Sequence, residues 1–512
     1  MAETRPTPSR TSRGRSRWLG FAWWGALALV TGGLCGCGGL KEWYRNGFKV
    51  GPNYRPAPVP TAAQWIDDGD ERIHKAGSDP MAWWTVFEDP VLDSLVEHAV
   101  HENLDLKAAG TRILASRAQK NVITGELFPQ TQEGLASFAH AQFSQNLKLP
   151  LPLIANVWPV GAFASWEPDF WGRYRRAIES AKADLDGSAA NLEDAIVILL
   201  SEVAESYVQV REFQQRLILA RHNVEIQRGS LSVAQAKFDG GDTSELDVEQ
   251  ARSSLARTES LIPALEVGLR QANNRLCTLL GTPARDLIPD LGGLRPIPTA
   301  PREIAAGVPA ELLRRRPDIR RAERSVAAQS ARIGVATSDL YPRFAIFGFL
   351  GYAADDFKSL FAMKSFTGLL VPNIQWQIFN YGRVRNNIRV EQARFEERVY
   401  QYQQTVLQAG QEVEDALVGF VKAQEQTSRL AESVAAAEHS VELVLIQYRE
   451  GSVDFNRVYT LQSLLVTQQD QLATAQANIA IQMIQAYRAL GGGWEPFVTH
   501  EPPPSASHSH HH

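Results

Sequence analysis

Between Arg173 and Phe238 the chain runs for 66 residues without a proline and with only two glycines. A seam there, apolar but for Gln227, falls in alternating steps of three and four: Leu217, Ala220, Val224, Gln227, Leu231, Ala234 and Phe238. Arg383 to Tyr448 is an equally long run, with Leu430, Val434, Ala437, Val441, Val444 and Tyr448 in the same rhythm. Leu461, Leu465, Gln468, Leu472, Ala475 and Ile479 continue it after a break. A mean step of 3.5 is the period of a coiled-coil seam. The pattern therefore predicts two very long helices, each about 100 Å if continuous. Glycines, at Gly240 and Gly241 or at Gly451, break each one, and a returning helix runs to Gly281 or Gly491. The seams are rich in Ala and Gln, which bury little per helix, so such antiparallel pairs need neighbours and a closed oligomer is expected.

Elsewhere the period drops to two. In "LLVPNIQWQIF", Leu370, Pro372, Ile374, Trp376 and Ile378 alternate with Val371, Asn373, Gln375 and Gln377. "VGAFASWEP" and "FAIFGFLGY" are similar in length and carry Phe163, Trp166, Phe344, Phe347, Phe349 and Tyr352. Segments of about ten residues, apolar outward and polar inward with aromatic ends, suit the wall of a transmembrane barrel. A half-buried sheet of an ordinary domain is the alternative. Two strands per half give four per chain, too few to close a barrel whose smallest members have about eight, so a membrane wall must be shared between subunits.

The chain is one unit written twice. "GELFPQ" around Pro129 is echoed by "SDLYPR" around Pro342, and "DFWGRYRRA" by "IFNYGRVRN". "AKFDGGDTSELDV" matches "IQYREGSVDFNRV", and "LCTLLG" matches "AYRALG". Gly172 and Gly382, Gly241 and Gly451, and Gly281 and Gly491 are each 210 apart, whereas the prolines are 213 apart. The halves thus align without gaps from Gly172 onward. Pro129 and Pro342 precede the strands of their halves, and Gly172 and Gly382 mark the passage from strand to long helix.

Residues 1–36 differ from the rest. Five arginines, from Arg5 to Arg17, precede the apolar run "WLGFAWWGALALV", with Glu3 the one acid. A basic segment before a short apolar core is the pattern of a secretory signal peptide. Its removal would leave 47 basic and 56 acidic residues, a net of −9 against −5 for the whole chain. That balance argues against nucleic acid as a partner. No later segment offers the ~18 uninterrupted apolar residues of a spanning helix, so any membrane crossing must use strands. Three cysteines exclude a disulfide framework. Cys35 and Cys37 have the spacing of a soft-metal clamp but lack further soft ligands beyond Cys277. Leu34-Cys35-Gly36-Cys37 instead resembles a bacterial lipobox, which implies that Cys35 leaves with the signal peptide and Cys37 carries lipid.

The hydrophobic content of 44% is that of ordinary globular chains. No glycine-rich phosphate loop follows a strand and no Ser/His/Asp set has local support, so no enzyme is expected. His98 and His101 lie three apart beside Glu97 and Glu102, but without another histidine nearby they read as an exposed helix face. The terminal "HSHHH" reads as a flexible tail.

Several stretches together carry a resemblance to the outer-membrane factors of tripartite efflux pumps, the TolC/OprM-like family, and within it to the lipoprotein (NodT-type) subgroup. They are "VGPNYRPAPVP" from Val50, "DPVLDSLVEHAVHENLDL" from Asp89, "PAELLRRRPDIRRAE" from Pro309 and the closing "YRALGGGW". The resemblance implies a mainly helical homotrimer, with a 12-stranded barrel in the outer membrane continuing into a periplasmic tunnel of twelve helices. It implies a lipid on Cys37 and no other cofactor. "SQNLKLPLPLIAN" and "ADDFKSLFAMKS" would then face outside the cell. Gly240, Gly241 and Gly451 would lie at the periplasmic tip, where an adaptor docks, and an inner-membrane pump, of RND type, would supply the energy. The stretch from Leu287 to Pro309 and the Arg-Pro-Asp motif would belt the middle of the tunnel.

One departure concerns the gate. Relatives often carry aspartate nine residues beyond the second-half glycine, where this chain has Thr460, and Arg457 lies six beyond it. The first-half counterpart of Arg457 is Asp247. An Arg457–Asp247 contact between neighbouring hairpins would hold the tip closed in place of an acidic ring.

These readings divide the chain into a signal peptide (1–36), an extended anchor segment (37–80), two repeats and a flexible tail (495–512). The first repeat (81–298) holds a strand pair at 130–169 and a hairpin at 173–281. The second (299–494) holds a strand pair at 344–379 and a hairpin at 383–491. The function expected is passive conduction of an exported solute across the outer membrane. A duct for type I protein secretion or metal-ion efflux, or a periplasmic coiled-coil scaffold that never inserts, are the alternatives.

Overall fold

The computed structural model describes residues 43–74, 80–142, 144, 154–311 and 315–498. The signal peptide with Cys35, the lipobox Cys37, most of the loop at 144–156 and the His tract lie outside the described residues. The chain is mainly helical and divides into two compact units. One gathers the residues up to Arg55, Gln119–Lys182 and Ala327–Phe395; the other gathers Pro56–Ala118, Ala183–Val326 and Glu396 onward. In order along the chain come β1 (Ile73–His74), α1 (Pro90–Glu102), α2 (Leu104–Gly125), β2 (Thr131–Ala136), β3 (Ala139–Gln142) and β4 (Ile154–Trp166). Next are α3 (Arg173–Asp239), α4 (Glu245–Glu259), α5 (Leu261–Leu279) and β5 (Ile304–Ala305). The second half has α6 (Pro317–Ser338), β6 (Arg343–Ala354), β7 (Phe366–Gln375), α7 (Arg383–Arg449) and α8 (Phe455–Ala489).

The first unit is built on one antiparallel sheet, with β2 and β3 both paired to β4, then β6, then β7. β2 and β3 are one strand in register, Ala136 facing Val160 and Ala139 facing Val157. The ladder lapses between them because Pro159 has no N–H to return, although the Ser137 N–H still donates to the Pro159 carbonyl at 3.1 Å. Four strand positions thus leave β2/β3 at one edge and β7 at the other.

Alternation sorts this sheet into two chemically distinct faces. The even-numbered positions of β4, β6 and β7 from Trp158 to Trp166, Phe344 to Tyr352 and Phe366 to Ile374 are all apolar apart from the Tyr352 hydroxyl. Glu133, Ser165, Arg343, Thr367, Asn373 and Gln375 all fall on the odd face. Along β4 from Gly161 to Trp166 the odd residues are half-buried and the even ones exposed. β4 and β6 leave no room for a Cβ where Gly161 and Gly351 pair. A Cβ on Gly161 would sit 2.5 Å from the Leu350 carbonyl oxygen, and one on Gly351 would sit 2.3 Å from that of Val160. Only two glycines admit that approach.

Each strand pair is tied by a tryptophan to the turn that follows the preceding helix. The Trp166 indole donates to the Leu127 carbonyl at 3.2 Å, and the Trp376 indole to the Leu340 carbonyl at 3.1 Å. The tryptophans are 210 apart and the carbonyls 213, the two offsets of the repeat. Pro129 and Pro342 stand between helix and strand in each half, and Gly172 and Gly382, both at φ +81°, immediately precede α3 and α7. Residues 43–51 strap this unit: Arg175 donates to the carbonyls of Gly47 and Phe48 at 2.7 and 2.9 Å, and Arg176 to those of Val50 and Gly51 at 3.1 and 3.0 Å. Trp43 stacks on Phe170 with ring centroids 5.4 Å apart.

The second unit is helical, with β1 and β5 as a short parallel pair. α3 and α7 have 67 residues each. The return limb of the first hairpin, expected as one helix, is two: α4 and α5 part at Ser260. Pro263 supplies the reason, since it can donate nothing to the Glu259 carbonyl and its ring crowds it. The equivalent residue 210 further on is Ala473, and α8 runs unbroken. Arg211, fully buried, donates to the carbonyls of Leu291 and Gly293 at 2.6 and 2.7 Å and fixes the loop after α5. Arg316 of the Arg-Pro-Asp motif bonds Asp318 at 2.7 Å and the Ala489 carbonyl at 2.8 Å. Residues from Glu495, expected to begin a flexible tail, still pack here, with Phe497 stacked on Trp84 at 5.7 Å.

Gly161→Val or Gly351→Val places a side chain into backbone, so the heat-resistant folded form of the protein should disappear from a semi-native gel. Gly134→Ala in β2, where a Cβ meets nothing within 4 Å, should run as the parent does. A Gly351→Val protein that keeps the folded form would contradict the close approach.

Candidate functional site: the helical tip and the sheet

The two hairpins of the second unit turn at Gly241 and Gly451. Gly241 at φ +82° and Gly451 at φ +77° each follow the last turn of a long helix. Each donates to the carbonyl three residues back, Phe238 or Tyr448, while Asp242 and Ser452 donate to Lys237 and Gln447. This is the Schellman closure, in which a left-handed residue satisfies the last carbonyls. Gly240 is helix-like and has no such requirement. The same closure recurs at Gly281 and Gly491, φ +68° and +75°.

The tips of the two hairpins share one apolar cluster within a single chain. Ala234, Val248 and Ala251 come from the first hairpin and Val444, Tyr448, Phe455 and Val458 from the second. Phe455 is fully buried, edge-on to Tyr448 with centroids 5.3 Å apart, and the Lys237 ammonium lies 5.6 Å from the Tyr448 ring. Asp247 sits in the first turn of α4, where the helix N-terminus favours its charge. Its carboxylate accepts from the Thr243 hydroxyl and faces the Tyr448 hydroxyl at 3.5 Å. Burial first, and that carboxylate second, push the Tyr448 phenol above its ordinary pKa, so the hydroxyl stays protonated and acts as the donor. The Arg457 backbone N–H is capped by Asp454 at 3.2 Å. The Thr460 hydroxyl returns to the Asn456 carbonyl at 2.8 Å, on an exposed face. Within one chain, then, the structure gives Asp247 a threonine and a tyrosine as partners, both outside the trio named from the sequence. Tyr448 was visible as a seam residue; nothing in the spacing announced its hydroxyl.

Above the tip, α3 meets α8 across a polar ladder that the apolar rhythm did not disclose. Asn223 donates to Gln469 at 2.8 Å, which donates to Glu438 at 2.8 Å, and Gln462 donates to Ser230 at 2.9 Å. Arg216 pairs with Asp470 at 2.7 Å and with Glu212 at 3.0 Å. Burial raises the Glu212 pKa while Arg216 opposes the rise. Buried amides that must meet specific partners fix axial register, as polar seam positions do in coiled coils. Gln462 and Gln469 are one heptad apart on a second face of α8, and that spacing was the available signal.

Among the described residues no helix is long and apolar enough to cross a membrane, and no group of three His, Cys, Asp or Glu is placed to hold a metal ion. His98 and His101 lie on α1.

The outer membrane efflux protein family model matches residues 95–282 and 308–492, one segment for each half of the repeat. The pyoverdine export outer membrane protein OpmQ of Pseudomonas putida is 31% identical over 421 residues, covering 81% of this chain and 88% of that protein. Nodulation protein T of Rhizobium leguminosarum bv. trifolii is 29% identical over 453 residues, 88% of this chain and 96% of its own. Among solved structures, the outer-membrane channel OprN superposes with a TM-score of 0.83 at 33% identity, covering 87% of this chain and all of that one.

Phe455→Ala removes the centre of the shared tip cluster and should cost about 3–5 kcal/mol of local stability. Amide exchange should accelerate together in 244–251 and 444–458, because both tips lean on that ring. Acceleration confined to 455–458 would show that the hairpins are independent.

Proposed function

The chain belongs to the outer membrane efflux protein family, and on that premise we propose how its geometry serves efflux. It is an outer-membrane channel of a tripartite efflux system. We propose that three copies close one barrel from their four-stranded sheets, the even face toward lipid and the odd face toward the bore, while six hairpins form a helical tunnel. The observation that carries this reading is the even face itself. It is apolar across three adjacent strands, with Trp158, Tyr352 and Phe366 at one end and Trp166, Phe344 and Trp376 at the other. Aromatic girdles bounding an apolar band are what a lipid-facing wall requires.

In this reading Cys37 carries the lipid anchor and no further cofactor is needed. The two repeats and the extended segment before them act as the domains named from the sequence. The turns at Gly240–Gly241 and Gly451 form the docking surface for a periplasmic adaptor. The adaptor joins the channel to an inner-membrane pump of RND type, whose energy drives transport; conduction through this chain is passive. Relatives include a pyoverdine export protein and a cation efflux protein, so the cargo varies over a shared architecture and is not fixed by the fold.

The gate is built from Asp247, Arg457 and Thr460. Asp247 is already fixed by Thr243 and Tyr448 within its own chain, so its remaining acceptor capacity can meet Arg457 of a neighbouring hairpin. Asp247→Ala and Arg457→Ala should each raise the single-channel conductance of the protein in planar bilayers several-fold. Conductance equal to the parent's in both would remove the latch, and a parent that passes no ions would remove the channel reading. Cys37→Ser should abolish labelling by radioactive palmitate, and retained label would refute the anchor.

A further inference from the structure

The odd face of the sheet carries more than polar residues. Phe163 of β4 pairs across the ladder with Phe349 of β6, which pairs in turn with Leu369 of β7. Phe347 lies one pleat along and pairs with Val371. The Phe163 and Phe347 rings stack with centroids 6.5 Å apart and planes inclined by 23°. Leu369 and Val371 are 58% and 41% exposed. A water-filled bore gains nothing from apolar side chains, which a polar residue would replace at no cost, and contiguous exposed apolar surface marks a contact site. The patch also has a charge beside it. Glu133 of β2 is the direct cross-strand partner of Phe163 and is exposed. It is the acidic residue of this face, and the basic one, Arg343, is paired with Asp339.

We infer that Phe163, Phe347 and Phe349, with Glu133 at their edge, form a solute-contact site in the bore that retains organic cations bearing aromatic rings. The inference rests on the proposed orientation of the sheet, odd face inward. A ring system lies against the phenylalanines and the apolar pair on β7, while its positive charge is drawn to the ring faces and to the Glu133 carboxylate. Three copies place three such patches around one bore. A solute released from the tunnel is thereby held weakly at the wall before it leaves, and solutes without rings pass without pausing.

The full-length protein in planar bilayers tests this with tetraphenylphosphonium as the probe. Tetramethylammonium has the same charge without rings, and benzenesulfonate has a ring with the opposite charge. Tetraphenylphosphonium should reduce the ion current of the parent at concentrations where the other two do not. The triple variant F163S/F347S/F349S should require about tenfold more of it for the same reduction. E133Q should require severalfold more. Assembly on a semi-native gel certifies each variant, and block is read as a fraction of that variant's own ion current. If the serine variant does not assemble, F163L/F347L/F349L keeps the apolar bulk and removes the rings, and the same weakening is expected. Equal block of the parent and of an assembled ring-free variant would overturn the site. Equal block by benzenesulfonate and tetraphenylphosphonium would overturn its preference for cations. A parent without any ion current would instead defeat the channel reading on which the site depends, so the two failures are distinguishable.

Discussion

A sheet of four strands has two edges, and each edge presents a row of backbone N–H and C=O groups with no partner. In water such groups find solvent. In the hydrocarbon of a membrane each one left unsatisfied costs several kcal/mol, which is why only closed barrels and helices span bilayers. The even face of this sheet is apolar across β4, β6 and β7 and suits hydrocarbon, while β2/β3 and β7 remain as open edges. Both facts hold for one chain, and they are compatible only if other chains close the edges. The proposed trimer with its shared bore would meet that requirement.

The duplicated sequence serves this constraint. The two halves build equivalent strand pairs, and the Trp166 and Trp376 indoles hold the Leu127 and Leu340 carbonyls in the same way. Those tryptophans also stand at one end of the apolar even face, at or just beyond the strand ends, so one residue type bounds that face and fixes strand to the turn before it. The halves then diverge where function would use asymmetry. Pro263 splits the first return limb into α4 and α5 where Ala473 leaves α8 whole. Asp247 in one tip faces Tyr448 in the other, so the two hairpin tips of a chain are not copies of one another.

Much of this was legible in the residues. The long helices were readable because 66 residues without proline at a step of 3.5 leave no other regular structure. The alternation around Ile374 was readable because a half-exposed strand must alternate. The turn glycines were readable at Gly241 and Gly451 because only a residue tolerant of positive φ completes the Schellman closure. What escaped was every feature that depends on which residue lies opposite which. The polar ladder of Asn223, Gln469 and Glu438 joins residues far apart in the chain. The Gly161–Gly351 approach is likewise a property of register, and so is the pairing of Glu133 with Phe163. The interruption between β2 and β3 was hidden for the same reason: Pro159 acts on its partner strand, not on its own.

Closure of the open edges by identical chains is the claim on which the rest turns, and the number of chains in the conducting particle measures it. Native mass spectrometry of the detergent-extracted full-length protein, on the same preparation that conducts in bilayers, should give three chains. A conducting particle of one or two chains would leave an eight-strand or smaller wall and contradict the proposal.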